Sequence, residues 1–197
     1  MSFEATNSLR VVVAEDEAVI RMDLVEMLSE LGHEVVGEAG NGQQAVDLAR
    51  EQLPDVVFLD VAMPKRDGLS AAEEIAGAEL AAVIMVTAFS DREIAQRAAD
   101  AGAVAFIVKP FTMNDLQPAL TLGLARWHQV QSLKKDVANL SDRARATEVV
   151  EQAKVILQRD HGMSEAEAFG WLRRAAMNKR VTLAEAAAAV RAGDSNP

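Results

Sequence analysis

The sequence predicts an α/β fold with a doubly wound, five-stranded parallel sheet, followed by a smaller all-helical segment. Five short apolar runs occur in the first two-thirds of the 197 residues, and an amphipathic helical pattern follows each of them. The apolar runs are continuous rather than alternating, which indicates strands that are covered on both faces. After about residue 120 no further strand-like run occurs, so the rest of the chain is expected to be helical.

The predicted strands and helices alternate along the chain. The strands are expected at residues 10–14, 35–39, 55–59, 83–86 and 104–108. The helices are expected at residues 19–31, 43–51, 69–76, 92–101 and 114–124. Five successive strand-then-helix units imply parallel strands that are joined by right-handed crossovers.

Composition excludes several classes of protein. The chain has no cysteine, which excludes a disulfide scaffold, a cysteine-based zinc site and a thiol nucleophile. No apolar stretch approaches the roughly 20 residues of a membrane helix, and the first ten residues lack the pattern of a secretory signal. We therefore expect a soluble, cytoplasmic protein with no membrane partner. The net charge of −10 argues at first sight against nucleic acid, whose phosphates attract basic proteins.

Polar side chains follow four of the five predicted strands. Glu15 and Asp16 follow the first strand, Asp60 the third, Thr87 the fourth and Lys109 the fifth. In an open parallel sheet, ligands bind outside the carboxyl ends of the strands, so these side chains are expected to converge at one edge. Three clustered carboxylates suit Mg²⁺, and the metal with the lysine would neutralise a phosphoryl group while one carboxylate attacks it. Each residue alone has an ordinary structural explanation, but their joint occurrence in this order favours a site.

Four motifs carry these residues, and together they resemble a known family. The motifs are VVVAEDE (11–17), LDVAMPKRDG (59–68), VTA (86–88) and GAVAFIVKPF (102–111). They are similar to the receiver domains of two-component response regulators. The resemblance implies a flavodoxin-like domain over residues 9–125 with the strand order 2-1-3-4-5. It also implies a phosphoprotein in which Asp60 accepts phosphate from a sensor histidine kinase.

The resemblance further implies roles for the neighbouring residues. Glu15, Asp16, Asp60 and the backbone carbonyl of Ala62 would hold Mg²⁺. Lys109 would contact the phosphoryl group, and its peptide bond to the following proline would be cis.

Thr87 and Phe106 would form the switch pair of this family. The hydroxyl group of Thr87 would move to the phosphate, and the aromatic ring of Phe106 would turn inward.

A short heptad pattern follows the receiver-like region. Its apolar positions are Val130, Leu133, Val137, Leu140 and Ala144. Such a stripe forms either a coiled coil or a helix that packs on its own domain. We favour a helical linker over residues 126–145 that dimerises through a coiled coil.

The remaining segment, residues 146–193, reads as three helices. Capping boxes at Ser164–Glu167 and Thr182–Glu185 predict the starts of the second and third helices. Its small core is expected to contain Val150, Ala153, Leu157, Phe169, Leu172, Met177, Leu183 and Val190.

Four motifs in this tail resemble the ANTAR domain, an RNA-binding module of transcription antiterminators. They are AKVIL (153–157), SEAEAF (164–169), LRRAAM (172–177) and LAEA (183–186). The resemblance implies that a dimer binds tandem RNA hairpins, one per ANTAR domain. The predicted RNA-binding residues are Ala153, Lys154, Arg173, Arg174, Met177, Lys179 and Arg180. The alternative is that Ala153 and Met177 are core residues and that the basic residues form a solvated face.

The charge distribution leaves selective RNA binding open. Residues 1–125 carry 8 Lys and Arg against 21 Asp and Glu, whereas residues 141–197 carry 9 against 8. Binding of RNA loops needs fewer charges than binding along a duplex. A protein-interaction adaptor that does not bind RNA is the competing hypothesis. A DNA-binding output is not expected because the last helix is mostly Ala and Glu, and enzymatic activity on an external substrate is not expected because the tail lacks a catalytic constellation.

Overall fold

The computed structural model describes residues 8–88 and 92–193. The chain divides into two compact units, residues 1–130 and residues 131–197. Most of the N-terminal segment considered for a secretory signal lies outside the described residues. None of the helices in the described ranges combines the length and hydropathy that a membrane span requires.

The first unit contains the predicted five-stranded parallel sheet. Its strands are β1 (Arg10–Ala14), β2 (Glu34–Ala39), β3 (Val56–Asp60), β4 (Ala82–Thr87) and β5 (Ala105–Val108). Their spatial order is β2-β1-β3-β4-β5, and every pairing is parallel. The predicted fold class and strand order are therefore confirmed. The order reverses between β1 and β3, and this is where such sheets bind ligands.

Helices cover both faces of the sheet. They are α1 (Ala18–Glu30), α2 (Gly42–Gln52), α3 (Gly68–Gly77), α4 (Arg92–Asp100) and the long α5 (Met113–His161). Successive strand residues point to opposite faces, so each strand contributes to two separate cores. Val57 and Leu59 of β3 pack on one side with residues of α2 and α3, while Val56 and Phe58 pack on the other with residues of α1 and α5.

Helix α5 is longer than the sequence predicts. Three separate helical segments, ending near residues 124, 145 and 159, were expected from the periodicity. Instead one helix of 49 residues runs from Met113 to His161. Its start is fixed by Asp115, whose carboxylate accepts hydrogen bonds from the backbone N–H and the hydroxyl of Thr112. Residues 125–146 contain no proline or glycine, so nothing in the backbone chemistry interrupts the helix there.

The second unit packs the end of α5 against two further helices, α6 (Glu165–Lys179) and α7 (Leu183–Arg191). Both predicted capping boxes are present, at Ser164 and at Thr182. The core of this unit contains Leu157, Leu172 and Val190, as predicted. Two core predictions were wrong, because Phe169 is 40% exposed and Met177 is 74% exposed.

Candidate functional site

Glu15 is held rigidly at the end of β1. Its backbone N–H donates to the carbonyl of Ala39, which continues the strand pairing by one residue, and its side chain is buried. Its own carbonyl accepts a hydrogen bond of 2.6 Å from Nη1 of Arg21. Arg21 is in turn paired with Glu38 through Nε. This arginine therefore fixes the loop that carries Glu15 and Asp16, and no sequence pattern pointed to that role.

Asp60 is the last residue of β3 and is buried. Its Oδ2 atom accepts a hydrogen bond of 3.2 Å from the backbone N–H of Ala62. Behind it, the start of α3 approaches so closely that a Cβ atom on Gly68 would lie 1.9 Å from the carbonyl oxygen of Asp60. Glycine at position 68 is thus required by the close approach of the helix to the strand.

Lys109 joins the acidic side chains into one cluster. It follows β5, and its bond to Pro110 is cis, as predicted. Its Nζ atom lies 2.6 Å from Oε2 of Glu15 and 2.9 Å from Oδ1 of Asp60. In the sheet, β1 and β3 are neighbours, and only β4 separates β3 from β5. The ends of β1, β3 and β5 therefore bring the three side chains to the same edge of the sheet.

Burial and charge oppose each other in this cluster. Burial raises the pKa of the Glu15 carboxyl, the hydrogen bond from Lys109 lowers it, and the neighbouring Asp60 raises it, with a net upward shift. Burial acts to lower the pKa of Lys109, but the hydrogen bonds to Glu15 and Asp60 outweigh it, so the pKa is raised. The ammonium group of Lys109 therefore stays charged at neutral pH.

The carboxylates of Glu15, Asp16 and Asp60 meet the requirements of a divalent-cation site. One carboxylate oxygen from each residue lies within 4.8 Å of the other two. Lys109 balances only one of the three negative charges, which leaves an excess that a hard cation would neutralise. Oxygen donors at few positions leave coordination sites for water or a phosphoryl oxygen, which suits Mg²⁺.

Thr87 and Phe106 lie on neighbouring strands beside this cluster. Thr87 ends β4 and is buried, and β4 pairs with β3 beside Asp60. Phe106, on β5, is 50% exposed and is one of the residues that line a narrow cleft. The other residues that line the cleft are Val61, Met85, Thr87, Ile94, Ala95 and Ala98.

In the second unit, the predicted RNA-binding residues fall into two groups. Arg173, Arg174, Met177, Lys179 and Arg180 are exposed on α6 and its C-terminal end. Ala153 is completely buried, so its prediction as an apolar RNA contact is wrong in this structure; its face of α5 packs against α6 and α7.

Lys154 is also largely covered, and its charge is already paired. Its Nζ atom lies 2.9 Å from a carboxylate oxygen of Glu151 and 2.7 Å from one of Glu165. Hydrogen bonds to Glu165 and Glu151 raise the pKa of Lys154. This lysine ties α5 to the first turn of α6.

The heptad residues on α5 are exposed. Leu133, Val137 and Leu140 each expose more than half of their surface. Val130 is also exposed. An apolar stripe of this kind is available for pairing with another helix.

Two family models match the chain. Residues 11–121 match the response regulator receiver domain, and residues 138–190 match the ANTAR domain. The transcriptional regulatory protein PdtaR of Mycobacterium tuberculosis is 52% identical over 181 residues, which are 92% of this chain and 88% of that protein. The chemotaxis protein CheY of Bacillus subtilis is 39% identical over 112 residues, which are 56% of this chain and 93% of that protein.

Solved structures are similar to the first unit. The signal receiver domain of the response regulator NarL from Mycobacterium tuberculosis has a TM-score of 0.56 and 34% identity, covering 59% of this chain and 95% of that chain. The CheX–CheY–BeF3–Mg²⁺ complex from Borrelia burgdorferi has a TM-score of 0.54 and 26% identity, covering 56% of this chain and 85% of that chain.

Proposed function

Because this chain belongs to the response regulators that join a receiver domain to an ANTAR domain, we propose that phosphorylation of Asp60 controls the binding of RNA hairpins by its tail, and thereby transcription antitermination. The observation that carries the first half of the proposal is the buried cluster of Glu15, Asp60 and Lys109 with ion-pair distances of 2.6 and 2.9 Å. The matched ANTAR domain supports the second half.

The phosphate donor in this proposal is a phosphohistidine of a sensor kinase. A carboxylate oxygen of Asp60 attacks the phosphorus atom, so an O–P bond forms while the N–P bond breaks and its electron pair stays on the imidazole. The ammonium group of Lys109, 2.9 Å from Oδ1 of Asp60, stabilises the negative charge on the group in transfer. Bound Mg²⁺ would supply further positive charge at this site, held by Glu15, Asp16, Asp60 and the carbonyl of Ala62.

The switch in this proposal connects Asp60 to the surface of the receiver domain. The hydroxyl of Thr87 hydrogen-bonds the phosphoryl oxygen, and the ring of Phe106 turns from its exposed position into the cleft beside Thr87. A change of charge at one carboxylate is thereby converted into a change of shape at the outer face of β5.

The proposed output is a dimer on two hairpins. The receiver domain (9–125), the linker (126–145) and the ANTAR domain (146–193) are the proposed functional divisions of the chain. The exposed stripe of Leu133, Val137 and Leu140 supports pairing of two linkers as a coiled coil. Two paired tails would then bind a tandem of stem–loops that otherwise gives way to a terminator.

A gel-shift series with a tandem-hairpin transcript tests the proposal. The chain is phosphorylated with acetyl phosphate, and Asp60→Ala treated in the same way is the control that cannot carry phosphate at residue 60. We expect the phosphorylated wild-type chain to bind the transcript more tightly than Asp60→Ala does. If the phosphorylated chain binds the tandem-hairpin transcript no more tightly than it binds a scrambled RNA, the proposal fails.

The competing function is a protein-interaction adaptor under control of the receiver domain. The nearly balanced charge of residues 141–197, with 9 basic and 8 acidic residues, favours it. Charge reversal at Arg173 and Arg174 separates the two functions. Loss of RNA affinity with retained helicity supports RNA binding, whereas unchanged behaviour in the gel shift supports the adaptor.

A further inference from the structure

One face of α6 presents an unusual combination of exposed residues. Phe169, Arg173 and Met177 follow one another at intervals of four residues, so their side chains are neighbours along the same side of the helix. All three are exposed, and Met177, at 74%, is more exposed than Phe169, at 40%. We call these three residues the α6 stripe.

Packing of the second unit does not account for the α6 stripe. The buried side of α6 consists of Ala168, Leu172 and Ala176. Ala168 and Leu172 belong to the core that α6 forms with residues of α5 and α7. Phe169 and Met177 lie beside that row rather than in it. Exposed apolar side chains that share one face of a helix mark a candidate interaction site when polar residues surround them.

The cations around the α6 stripe are available for a ligand. Within residues 8–88 and 92–193, Arg173, Arg174 and Arg180 form no ion pair with a carboxylate. Lys154, in contrast, is neutralised by Glu151 and Glu165. These three unpaired arginines lie on α6 or directly after it, on the same helix as the exposed apolar side chains.

Gly170, the residue after Phe169, places no side chain on the surface of α6. A Cβ atom at position 170 would meet only the end of the flexible Arg174 side chain, at 3.5 Å. Glycine lowers the stability of a helix interior relative to alanine, and no close contact in the structure requires it here. A flat ligand could lie against the helix at this point.

We propose that the α6 stripe is a stacking platform for an unpaired base in an RNA loop. The ring of Phe169 stacks on the base, Met177, two turns further along the helix, packs against a neighbouring nucleotide, and Arg173, Arg174 and Arg180 contact the flanking phosphates. Splayed-out bases are commonly bound by such combinations of aromatic rings and arginine. This inference rests on the proposed RNA binding, and it assigns Lys154 to the support of the helix pair rather than to the RNA contact.

Substitutions in the full-length phosphorylated chain test this platform. The probe is a tandem-hairpin RNA selected by the wild-type chain from a pool with fixed stems and randomised loops. Phe169→Leu keeps an apolar side chain for packing but removes the ring, and Phe169→Trp restores a stacking surface. Val155→Ala, an exposed apolar residue on α5, is the matched control. Far-UV circular dichroism checks that every variant is folded.

We expect Phe169→Leu to weaken binding about tenfold, which corresponds to about 1.4 kcal/mol. Phe169→Trp should bind within about threefold of the wild type, a smaller change than the loss of stacking on one base would cause. The dependence of affinity on salt gives a second readout. Its slope should be unchanged in Phe169→Leu, because stacking releases no counterions. In Arg173→Gln with Arg174→Gln the slope should fall by about one for each phosphate contact that is lost.

The outcomes separate this inference from the proposed function. If no RNA in the pool binds the wild-type chain, RNA binding itself is refuted, and the platform with it. If the wild-type chain binds the selected RNA and Phe169→Leu binds as tightly as Val155→Ala does, the platform is refuted while RNA binding stands. A fall of the salt slope in Phe169→Leu would also overturn the stacking role, since it would place a charge contact there.

Discussion

The contact between Gly68 and Asp60 gives the sharpest test of the phosphorylation site. A methyl group on Gly68 would have its carbon 1.9 Å from the backbone oxygen of Asp60 and 2.9 Å from its carbonyl carbon. Cβ atoms in proteins essentially never lie within 3.0 Å of a heavy atom from a distant part of the chain. In Gly68→Ala the start of α3 and the end of β3 must therefore separate by about 1 Å, and overpacking of a core forces backbone shifts of this kind.

Two effects follow from this separation. Overpacking of this kind costs about 1–3 kcal/mol, and alanine at the first position of a helix returns only a small part of it. The displaced Asp60 also loses its alignment with Lys109, and a misplacement of about 1 Å in a reacting group can cost on the order of a hundredfold in rate. We expect Gly68→Ala to be less stable by about 1–3 kcal/mol and to be phosphorylated much more slowly.

The same helix supplies the control. A Cβ atom on Gly77, at the other end of α3, would meet nothing within 4 Å. Gly77→Ala should leave stability unchanged or raise it by up to about 1 kcal/mol, with normal phosphorylation.

Stability is followed by urea unfolding in a Trp171→Phe background, so that fluorescence reports on Trp127, which packs against the receiver core. Phosphorylation is followed by labelling with acetyl phosphate. If Gly68→Ala matches Gly77→Ala within about 0.5 kcal/mol and labels at the same rate, the close approach does not position Asp60 and the reasoning is refuted. The threshold lies below the smallest cost expected from overpacking.

Three further predictions concern other charged side chains. Asp60→Ala should abolish labelling by acetyl phosphate with little loss of stability, because it removes a negative charge that raises the pKa of Glu15; persistent labelling would place the acceptor elsewhere. Arg21→Ala should weaken Mg²⁺ binding measured by calorimetry, because the Glu15 carbonyl loses its 2.6 Å hydrogen bond. Arg50→Ala, which removes an arginine of α2 that pairs with Glu74, is the control and should leave Mg²⁺ binding unchanged. Lys154→Met should return the pKa of Glu165, which Lys154 lowers, toward its ordinary value in carbon-detected NMR titrations. The stabilisation from this pair is present above the unfolded-state pKa of Glu165, about 4.3, and is lost as the pH falls through the lower folded-state pKa; an unchanged titration would show that the pair does not form in solution.

The sequence predicted the sheet well because the pattern that marks each strand is local. A buried strand needs a continuous apolar run, and each of the five runs became a strand within about two residues of its expected ends. The placement of Asp60 and Lys109 at strand ends then sufficed to bring them together, since the carboxyl ends of parallel strands share one edge.

The extent of α5 was not predictable in the same way. Periodicity marked three helical patterns, but whether a helix continues between them depends on the absence of a breaker and on the packing at each end. The exposure of Phe169 and Met177 was missed for a related reason. Both match the helical spacing of a core residue. The end of α5 together with α7 nevertheless buries only one narrow row of α6, which Ala168, Leu172 and Ala176 already fill.

By itself, therefore, the sequence determined the receiver sheet, the acidic cluster with Lys109 and the capped helices of the tail, because each depends on residue types at fixed local spacing. Only the tertiary structure decided which predicted RNA-binding residues face solvent. Ala153 is in the core, Lys154 is paired with two carboxylates, and the arginines of α6 are exposed. It also revealed Arg21 and Gly68 as supports of the site. The physical reason is that burial, ion pairing and close backbone approach depend on what lies opposite a residue, and that neighbour is distant in the chain.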